Sequence, residues 1–370
     1  MRAPYAFTAV LLLAGCSPTT PDLGAEINVP AQFGTIQAAV DAAREGATVV
    51  VSPGVYKESV EVRTRSLTIR GLQRGSVIID GEVERDNGIV VAAPEVSVQN
   101  LTVRNHLQSG VAVTRSRGFR VSYVTASNNA RHGVQASEAQ HGVIEQSYAS
   151  GSADAGFSVG RCAPCDVVVR GNVAERNAVG YAAADASGRM FVLGNRFSGN
   201  RVGMTTNSED ASFVGNLVSD NSEALSPAQA DGAFGFGFGI AGGSKNLVAR
   251  NLISNNPGAG VALGSSGNVP PADNRFSDNM ITGNGEDVLY AASRQAPGRN
   301  NCFDRERCYD GVGDPLPKSS APRGIPFNQV AAPPLQPEMP EGPLPDGTPN
   351  ADRYVLPSED LFDDRAAVRA

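Results

Sequence analysis

The sequence predicts an all-β solenoid wound from short parallel strands, and three observations predict it. The first is a six-residue unit with Asn at both ends. It occurs as Asn100-Leu-Thr-Val-Arg-Asn105, Asn172-Val-Ala-Glu-Arg-Asn177, Asn195-Arg-Phe-Ser-Gly-Asn200, Asn216-Leu-Val-Ser-Asp-Asn221, Asn251-Leu-Ile-Ser-Asn-Asn256 and Asn279-Met-Ile-Thr-Gly-Asn284. The second is a glycine that opens an alternating stretch at Gly88, Gly110, Gly133, Gly156, Gly180 and Gly203, in steps of 22, 23, 23, 24 and 23 residues. A fixed period is the signature of a repeat architecture and outranks local propensity. The third is composition. Glycine supplies 41 of 370 residues, above the usual ~7 %, and charged residues only 19 %, which disfavours a surface of exposed helices.

A period near 23 fits several solenoids, and the residue types choose among them. Leucine-rich repeats need a leucine scaffold, and helical repeats need a 3.6-residue pattern. This chain instead carries period-two segments such as Gly110-Val-Ala-Val and Arg120-Val-Ser-Tyr-Val, separated by Gly, Asn or Ser, which is strand and turn grammar. Three short strands use up one period. The recurring Asn tolerates the left-handed backbone of a sharp corner, and stacked amides can form a ladder along the axis. These residues resemble a single-stranded right-handed parallel β-helix of the pectate-lyase-like type, with three short strands per coil. About ten coils fit residues 48–290, a rod roughly 50 Å long at ~4.8 Å per coil.

The core is expected from the inward positions after each glycine: Ile89/Val91, Val111/Val113, Val134/Ala136, Phe157/Val159, Tyr181/Ala183, Met204/Thr206 and Val261/Leu263. Residues 35–44 have helical spacing and a Thr start, and are expected to form an N-terminal capping helix that hides the open end. Residues 222–238 break the period and are expected to be a loop. Residues 313–350 hold eleven prolines and predict an extended strap or linker, followed by an acidic tail to residue 370. The resulting division is 1–15 leader, 16–28 tether, 29–312 β-helix with its cap, and 313–370 tail.

The leader has one early charge, Arg2, and a short apolar run from Tyr5 to Leu13, too short to span a bilayer. Its end, Leu13-Ala14-Gly15-Cys16, resembles the lipobox of bacterial lipoproteins. That resemblance implies lipidation at Cys16 and attachment to the membrane on the exported side of a bacterial envelope, and Ser17 resembles outer-membrane sorting. An ordinary secretory leader, with Cys16 incidental, is the alternative. The remaining Cys162, Cys165, Cys302 and Cys308 are even in number in an exported chain, so two disulfides between sequence neighbours are expected. Cys162-Ala-Pro-Cys165 also has the spacing of a redox or zinc motif, although no second ligand pair lies nearby. No metal site and no cofactor is read from the sequence. A net charge of -7 with no basic run argues against nucleic acid as a partner. A monomer is expected.

The stretch Phe33-Gly-Thr35-Ile36-Gln37-Ala38-Ala39-Val40, then Gly54-Val55-Tyr56 with Glu58 and Val60, then Asp80-Gly81, resembles the opening of pectinesterases and related β-helix enzymes, over about a seventh of the chain. The pectinesterase aspartate segments and its Arg-Pro-Trp signature are missing, and a chain without tryptophan cannot carry the last. Polygalacturonase motifs are echoed only by Arg131-His132-Gly133 and Gln140-His141-Gly142. The repeats and cap resemble mannuronan epimerases, without their Asp-Pro-His signature. Most of the chain, including 147–157 and Cys162–Cys165, is similar to uncharacterised bacterial β-helix proteins.

In a regular solenoid, equivalent positions stack. Two residues before each glycine the column runs Asp86, Gln108, Arg131, Asp154, Ala178, Arg201, which makes Arg131 and Asp154 neighbours. His132 lies beside them, Arg161 follows on the Asp154 coil, and Tyr123 and Tyr148 sit at matching places of adjacent coils. A polyuronate lyase or epimerase must neutralise a carboxylate, remove a proton and protonate a leaving oxygen. Arg131 or Arg161 would neutralise, and His132 or Tyr148 would act as acid or base, tuned by Asp154. The plain alternative is a surface Arg–Asp pair worth only ~0–1 kcal/mol. His106 and His141 read as ordinary loop histidines. Small outward residues after each glycine (Ala112, Ser158, Gly160, Ala182, Ala184, Thr205, Ala241, Ala262) predict a shallow, flat face suited to a sugar chain, unless the strap covers it. The expected function is therefore binding or modification of an envelope or extracellular polysaccharide. The rivals are a structural or adhesive surface rod and a periplasmic accessory factor of the copper-enzyme maturation type, the latter disfavoured by few His and Met.

Overall fold

The structure, a computed structural model, describes residues 26–228, 233–304, 307–317 and 321–342. The leader, Cys16, most of the tether and the acidic tail lie outside the described residues. The parallel pairings run in three columns. The first contains Glu26–Val29, Thr48–Val51, Thr68–Gly71, the starts of Ser97–Arg104 and Arg120–Ser127, Gly142–Glu145, Val167–Arg170, the end of Val179–Leu193, Glu209–Val214, Leu247–Ala249, Arg275–Ser277 and Gly298–Phe303. That is twelve rungs rather than ten. The two extra rungs lie outside residues 48–290: Glu26–Val29 pairs ahead of the helix, so residues 26–28 belong to the solenoid and not to the tether, and Gly298–Phe303 pairs beyond the last expected coil.

The second column follows through Gly54–Tyr56, Val77–Asp80, the ends of Ser97–Arg104 and Arg120–Ser127, Tyr148–Ser150, Val173–Glu175, Arg196–Phe197, Leu217–Ser219, Leu252–Ser254 and Met280–Thr282. The third runs from Val60–Val62 through Ile89–Val91, Val111–Thr114, His132–Ser137, Ala155–Cys162, the start of Val179–Leu193, Val202–Thr206, Phe236–Ala241 and Ala259–Gly264 to Glu286–Ala291. Phe236–Ala241 is thus a rung, and the expected loop ends before it.

Alternation does the rest. Val121, Ile144, Val169, Val192, Phe213, Val248 and Phe276 stack inward in the first column, and Val111, Val134, Phe157, Tyr181, Met204, Phe238 and Val261 in the third, all but fully buried. Each such side chain is worth ~1.5–3 kcal/mol of apolar burial. The helix Ile36–Ala42 starts at Thr35, whose Oγ1 accepts from Ala38 N–H at 3.1 Å, while the Glu58 carboxylate accepts from the N–H groups of Ile36 and Gln37, each at 3.0 Å. Its Ile36, Ala39 and Val40 join the same core.

The 23-residue glycine has a steric cause. A Cβ on Gly133, Gly156, Gly180, Gly203 or Gly237 would lie 2.5–2.9 Å from the carbonyl oxygen of the glycine one rung on, so no larger residue fits there. The asparagines work differently from the sequence expectation. The left-handed residue is the one before each ladder Asn: Gly171, Gly194, Gly215, Arg250 and Asp278 have φ of 54 to 67°. The following Asn172, Asn195, Asn216, Asn251 and Asn279 each pass a hydrogen bond to the next. Asn195 Nδ2, for example, donates to Asn216 Oδ1 at 3.0 Å and to Val169 O at 2.9 Å, and Asn195 N–H donates to the same Oδ1 at 2.9 Å. A second ladder joins Asn177, Asn200, Asn221, Asn256 and Asn284, and a third, not anticipated, joins Asn246, Asn274 and Asn301. Asn100 is outside the ladder. It is itself left-handed, φ 55°, as is Tyr123, φ 54°, at the matching corner of the next coil; its Nδ2 donates to Gly71 O and its Oδ1 accepts from Met339 N–H.

Cys162 is bonded to Cys165 and Cys302 to Cys308. The first bond closes a tight loop after a long rung, and the second joins the last parallel rung to the antiparallel strand Arg307–Gly311. The proline-rich segment 321–341 is a strap. It runs back along the helix from Arg201, past Asn128, to Arg74 and Asn100, on the second column and not on the small-residue face.

Candidate functional site

Where the second column turns into the third, three successive coils bring Ser109, His132 and Asp154 together. Register sets their places: Ser109, His132 and Ala155 each stand one residue before the repeating Gly110, Gly133 and Gly156, His132 pairs with Ala155, and Asp154 stands one residue earlier, level with Arg131. His132 is 4 % exposed, with Nε2 3.2 Å from Asp154 Oδ2 and Nδ1 3.4 Å from Ser109 Oγ. A carboxylate only accepts, so Nε2 donates to Asp154, and Nδ1 faces the serine hydroxyl. Arg131 Nη2 lies 3.7 Å from the same Asp154 oxygen. The hydrogen bond from His132, followed by the charges of His132 and Arg131, holds the Asp154 carboxyl below the usual carboxylate range. Asp154 and Arg131 face solvent, with 42 % and 56 % of their side chains exposed.

Ser109 brings the residue types of a hydrolytic triad together, but it is buried, so its hydroxyl cannot reach a substrate. It lies between the imidazole and Gln135 Oε1, 3.4 and 3.5 Å away. What faces outward is an anchored carboxylate beside a guanidinium, an arrangement able to take sugar hydroxyls and carboxylates in charge-assisted hydrogen bonds.

The remaining expected site residues do not join this group. Arg161 lies six residues beyond Ala155 on the same strand, roughly 20 Å along it at ~3.3 Å per residue. Tyr148 pairs with Thr125 in the second column, whereas Tyr123 occupies a corner, so the two tyrosines are not equivalent. The Tyr148 hydroxyl donates to Glu175 Oε1 at 2.6 Å and accepts from Arg176 at 3.2 Å. Burial first, then the contact with Glu175, pushes its phenol up to about 12, which makes it a poor proton carrier near neutrality. The other histidines are not ordinary loop residues. His106 is fully buried, and burial pushes it down to about 4. His141 Nδ1 lies 3.4 Å from the buried Asp166, which Arg189 also holds.

Ala112, Gln135, Ser158, Ala182, Thr205, Gly239 and Ala262 form one unbroken outward line on the third column. Phe236 and Ala233 pack at its later end. The line from Ala112 to Thr205 leaves a strip of small side chains, broken by Gln135, bordering Arg131 and Asp154.

Residues 109–281 match the family model described as right handed beta helix region. The chain is a right-handed parallel β-helix. Among solved structures, this β-helix is similar to ORF18 of Geobacillus virus E2, with 12 % identity over 73 % of this chain and 61 % of that one, TM-score 0.56. The β-helix thus spans less than two thirds of that protein. It is also similar to the alginate lyase from Paenibacillus sp. str. FPU-7, with 14 % identity over 69 % of this chain and 94 % of that one, TM-score 0.50, and to the Azotobacter vinelandii mannuronan C-5 epimerase AlgE4 A-module, with 15 % identity over 72 % and 94 %, TM-score 0.46. At these identities the likeness concerns the fold alone. No curated protein matches the sequence.

Sequence reasoning missed Ser109, because nothing in its neighbourhood marks it. It also missed the buried Glu145, which accepts from Arg120 Nε at 2.7 Å and from Arg170 Nε and Nη2 at 2.8 and 2.6 Å. Arg120, Glu145 and Arg170 stand 25 residues apart, one coil each, and that columnar spacing could have found the cluster. Arg74 had no signal at all. No helix among the described residues is long and apolar enough to cross a membrane.

Proposed function

We propose that this protein is an exported, lipid-anchored β-helix that binds an envelope or extracellular polysaccharide along the third column. The observation that carries this reading is the exposed Asp154 carboxylate, kept ionised by His132 and paired with Arg131, at the border of a strip of mostly small side chains in which Gln135 adds an amide. One neighbour of the same fold is titled as an alginate lyase, which is consistent with a polysaccharide partner. Binding is favoured over lysis or epimerisation. Arg161 and Tyr148 stand apart from His132, so a substrate beside Asp154 finds one cation but no second acid. Cys16 supplies the anchor, the helix Ile36–Ala42 closes the first coils, and the chain acts as a monomer.

The test is glycan binding by the full chain, with oligouronates and neutral glucans compared. Asp154→Asn and Arg131→Gln should each weaken uronate binding about tenfold, the loss of one charge-assisted contact. Unsaturated products appearing in the ultraviolet would replace the binding reading with lyase activity. Silence toward every glycan would favour a structural surface rod. Cys162→Ser should leave binding unchanged, since that disulfide lies away from Asp154. Cys16→Ser should move the protein from the membrane fraction to the soluble one if the anchor is real.

A further inference from the structure

Outward residues of the second column point away from the core, yet Thr102, Thr125, Ser127, Tyr148 and Ser150 are all buried. The strap crosses this face. It is held through its own carbonyl oxygens: Arg201 Nη2 donates to Pro322 O at 2.6 Å, Asn128 Nδ2 to Val330 O at 2.9 Å, and Arg74 Nη1 to Pro337 O at 2.9 Å. Apolar anchoring is sparse. Val330 is buried, but Leu335 is 91 % exposed.

Beneath the strap the polar groups are poorly matched. Arg74 and Arg201 are 2 % and 1 % exposed, and among the described residues neither guanidinium forms an ion pair. The Arg74 guanidinium donates to Thr125 Oγ1, Val124 O and Pro337 O, and the strap carboxylate of Glu338 accepts from the main-chain N–H of Arg74. Nε and Nη1 of Arg201, Ser150 Oγ and Asn128 Oδ1 have no hydrogen-bond partner, and the Arg201 guanidinium is covered on one face by the Phe234 ring, 4.9 Å from its centroid. The Glu338 carboxylate is thus, among the described residues, the one negative charge beside Arg74, and Arg201 has none; a buried cation without a carboxylate and buried hydroxyls without partners are both costly. Three rungs separate the Arg74 contact at Thr125 from the coil of Arg201, roughly 14 Å at ~4.8 Å each.

We propose that this groove, from Arg74 to Arg201, binds a carboxylate-bearing sugar chain, and that the segment 321–341 is its internal occupant, displaced when the glycan enters. The inference rests on the polysaccharide reading above and deepens it by naming the glycan class and a second contact face. A uronate chain offers oxygens where the strap offers carbonyls. It also brings the negative charges that Arg201 lacks and hydroxyls for Ser150.

The experiment uses the full chain and loosens the strap from its own side. Glu338→Arg sets two positive charges together at an exposed position, and Val330→Asp removes the buried apolar contact. Hydrogen exchange over 321–341 reports whether the strap has lifted. With oligogalacturonate and oligoalginate as probes, each loosened variant should bind at least about tenfold more tightly than the parent, because the occluded fraction no longer competes. Neutral cello-oligosaccharide should show no gain, and Arg201→Gln added to Glu338→Arg should abolish it. A lifted strap with no gain in uronate affinity overturns the inference, as does an equal gain for the neutral glycan. If Asp154→Asn is without effect while the Arg201-dependent gain appears, the third-column reading fails and the groove stands. If the parent binds through Asp154 and the loosened variants bind no better, the groove fails alone.

Discussion

Asn216→Ala tests the amide ladder at its middle. Asn216 Nδ2 donates to Val192 O and to Asn251 Oδ1, both at 2.9 Å, and its Oδ1 accepts from Asn195 N–H at 2.9 Å and Asn195 Nδ2 at 3.0 Å. Alanine removes all four bonds. Asn251 Oδ1 keeps the bond from the main-chain N–H of residue 216, but Val192 O, Asn195 N–H and one Asn195 amide proton lose this partner inside a region closed to water. At about 1 kcal/mol per bond the loss is about 4 kcal/mol, a large fraction of a protein's stability. Asn279→Ala removes three bonds near the end of the ladder, where the side chain is only partly buried and water can replace it. Its cost should stay below about 2 kcal/mol. Urea unfolding followed by far-ultraviolet circular dichroism measures both. If Asn216→Ala falls within 1 kcal/mol of the parent, or the two variants cost the same, stacked amides are not what holds the corners.

Three further outcomes follow from the packing. Glu145→Gln leaves Arg120 and Arg170 sharing a neutral, buried partner and should cost about 3–5 kcal/mol by the same assay; a loss under 1 kcal/mol would show the cluster to be solvated. Gly180→Ala sets a methyl group 2.6 Å from Gly203 O and should cost about 1–3 kcal/mol, whereas Gly34→Ala, with nothing within 4 Å, should be close to neutral. His106 sits near 4 in the folded protein, below its ordinary value of 6.5, so the unfolded chain takes up the proton first. The stabilisation is whole above about pH 6.5 and is lost as the pH falls toward 4, reaching about 2 kcal/mol at pH 5. His106→Gln should flatten that part of the profile, and an unchanged slope would show that the imidazole is accessible to protons when folded.

The period, the inward residues and the pairing of Arg131 with Asp154 were legible in the sequence because a solenoid converts spacing into contact: residues one coil apart must be neighbours. The same logic reached His132 but not Ser109, since a lone serine before a glycine carries no pattern. It placed Tyr148 beside Tyr123 wrongly, because coils differ by a residue at their corners and a one-residue shift moves a side chain from corner to strand. It set the ladder asparagines in the left-handed positions that the preceding residues in fact occupy. Asn100 misled for the same reason, the motif being intact but displaced by one residue from its corner.

What the chain determined alone is its winding, since repeated glycine and asparagine act on the next coil through steric fit and amide stacking, at contact distances fixed by the repeat itself. What only the tertiary structure decided is where segments without a repeat come to rest. The strap's path over Arg74, Asn128 and Arg201, and the burial that leaves Arg201 without a carboxylate, depend on contacts between residues more than a hundred positions apart in the chain, and no local spacing encodes those.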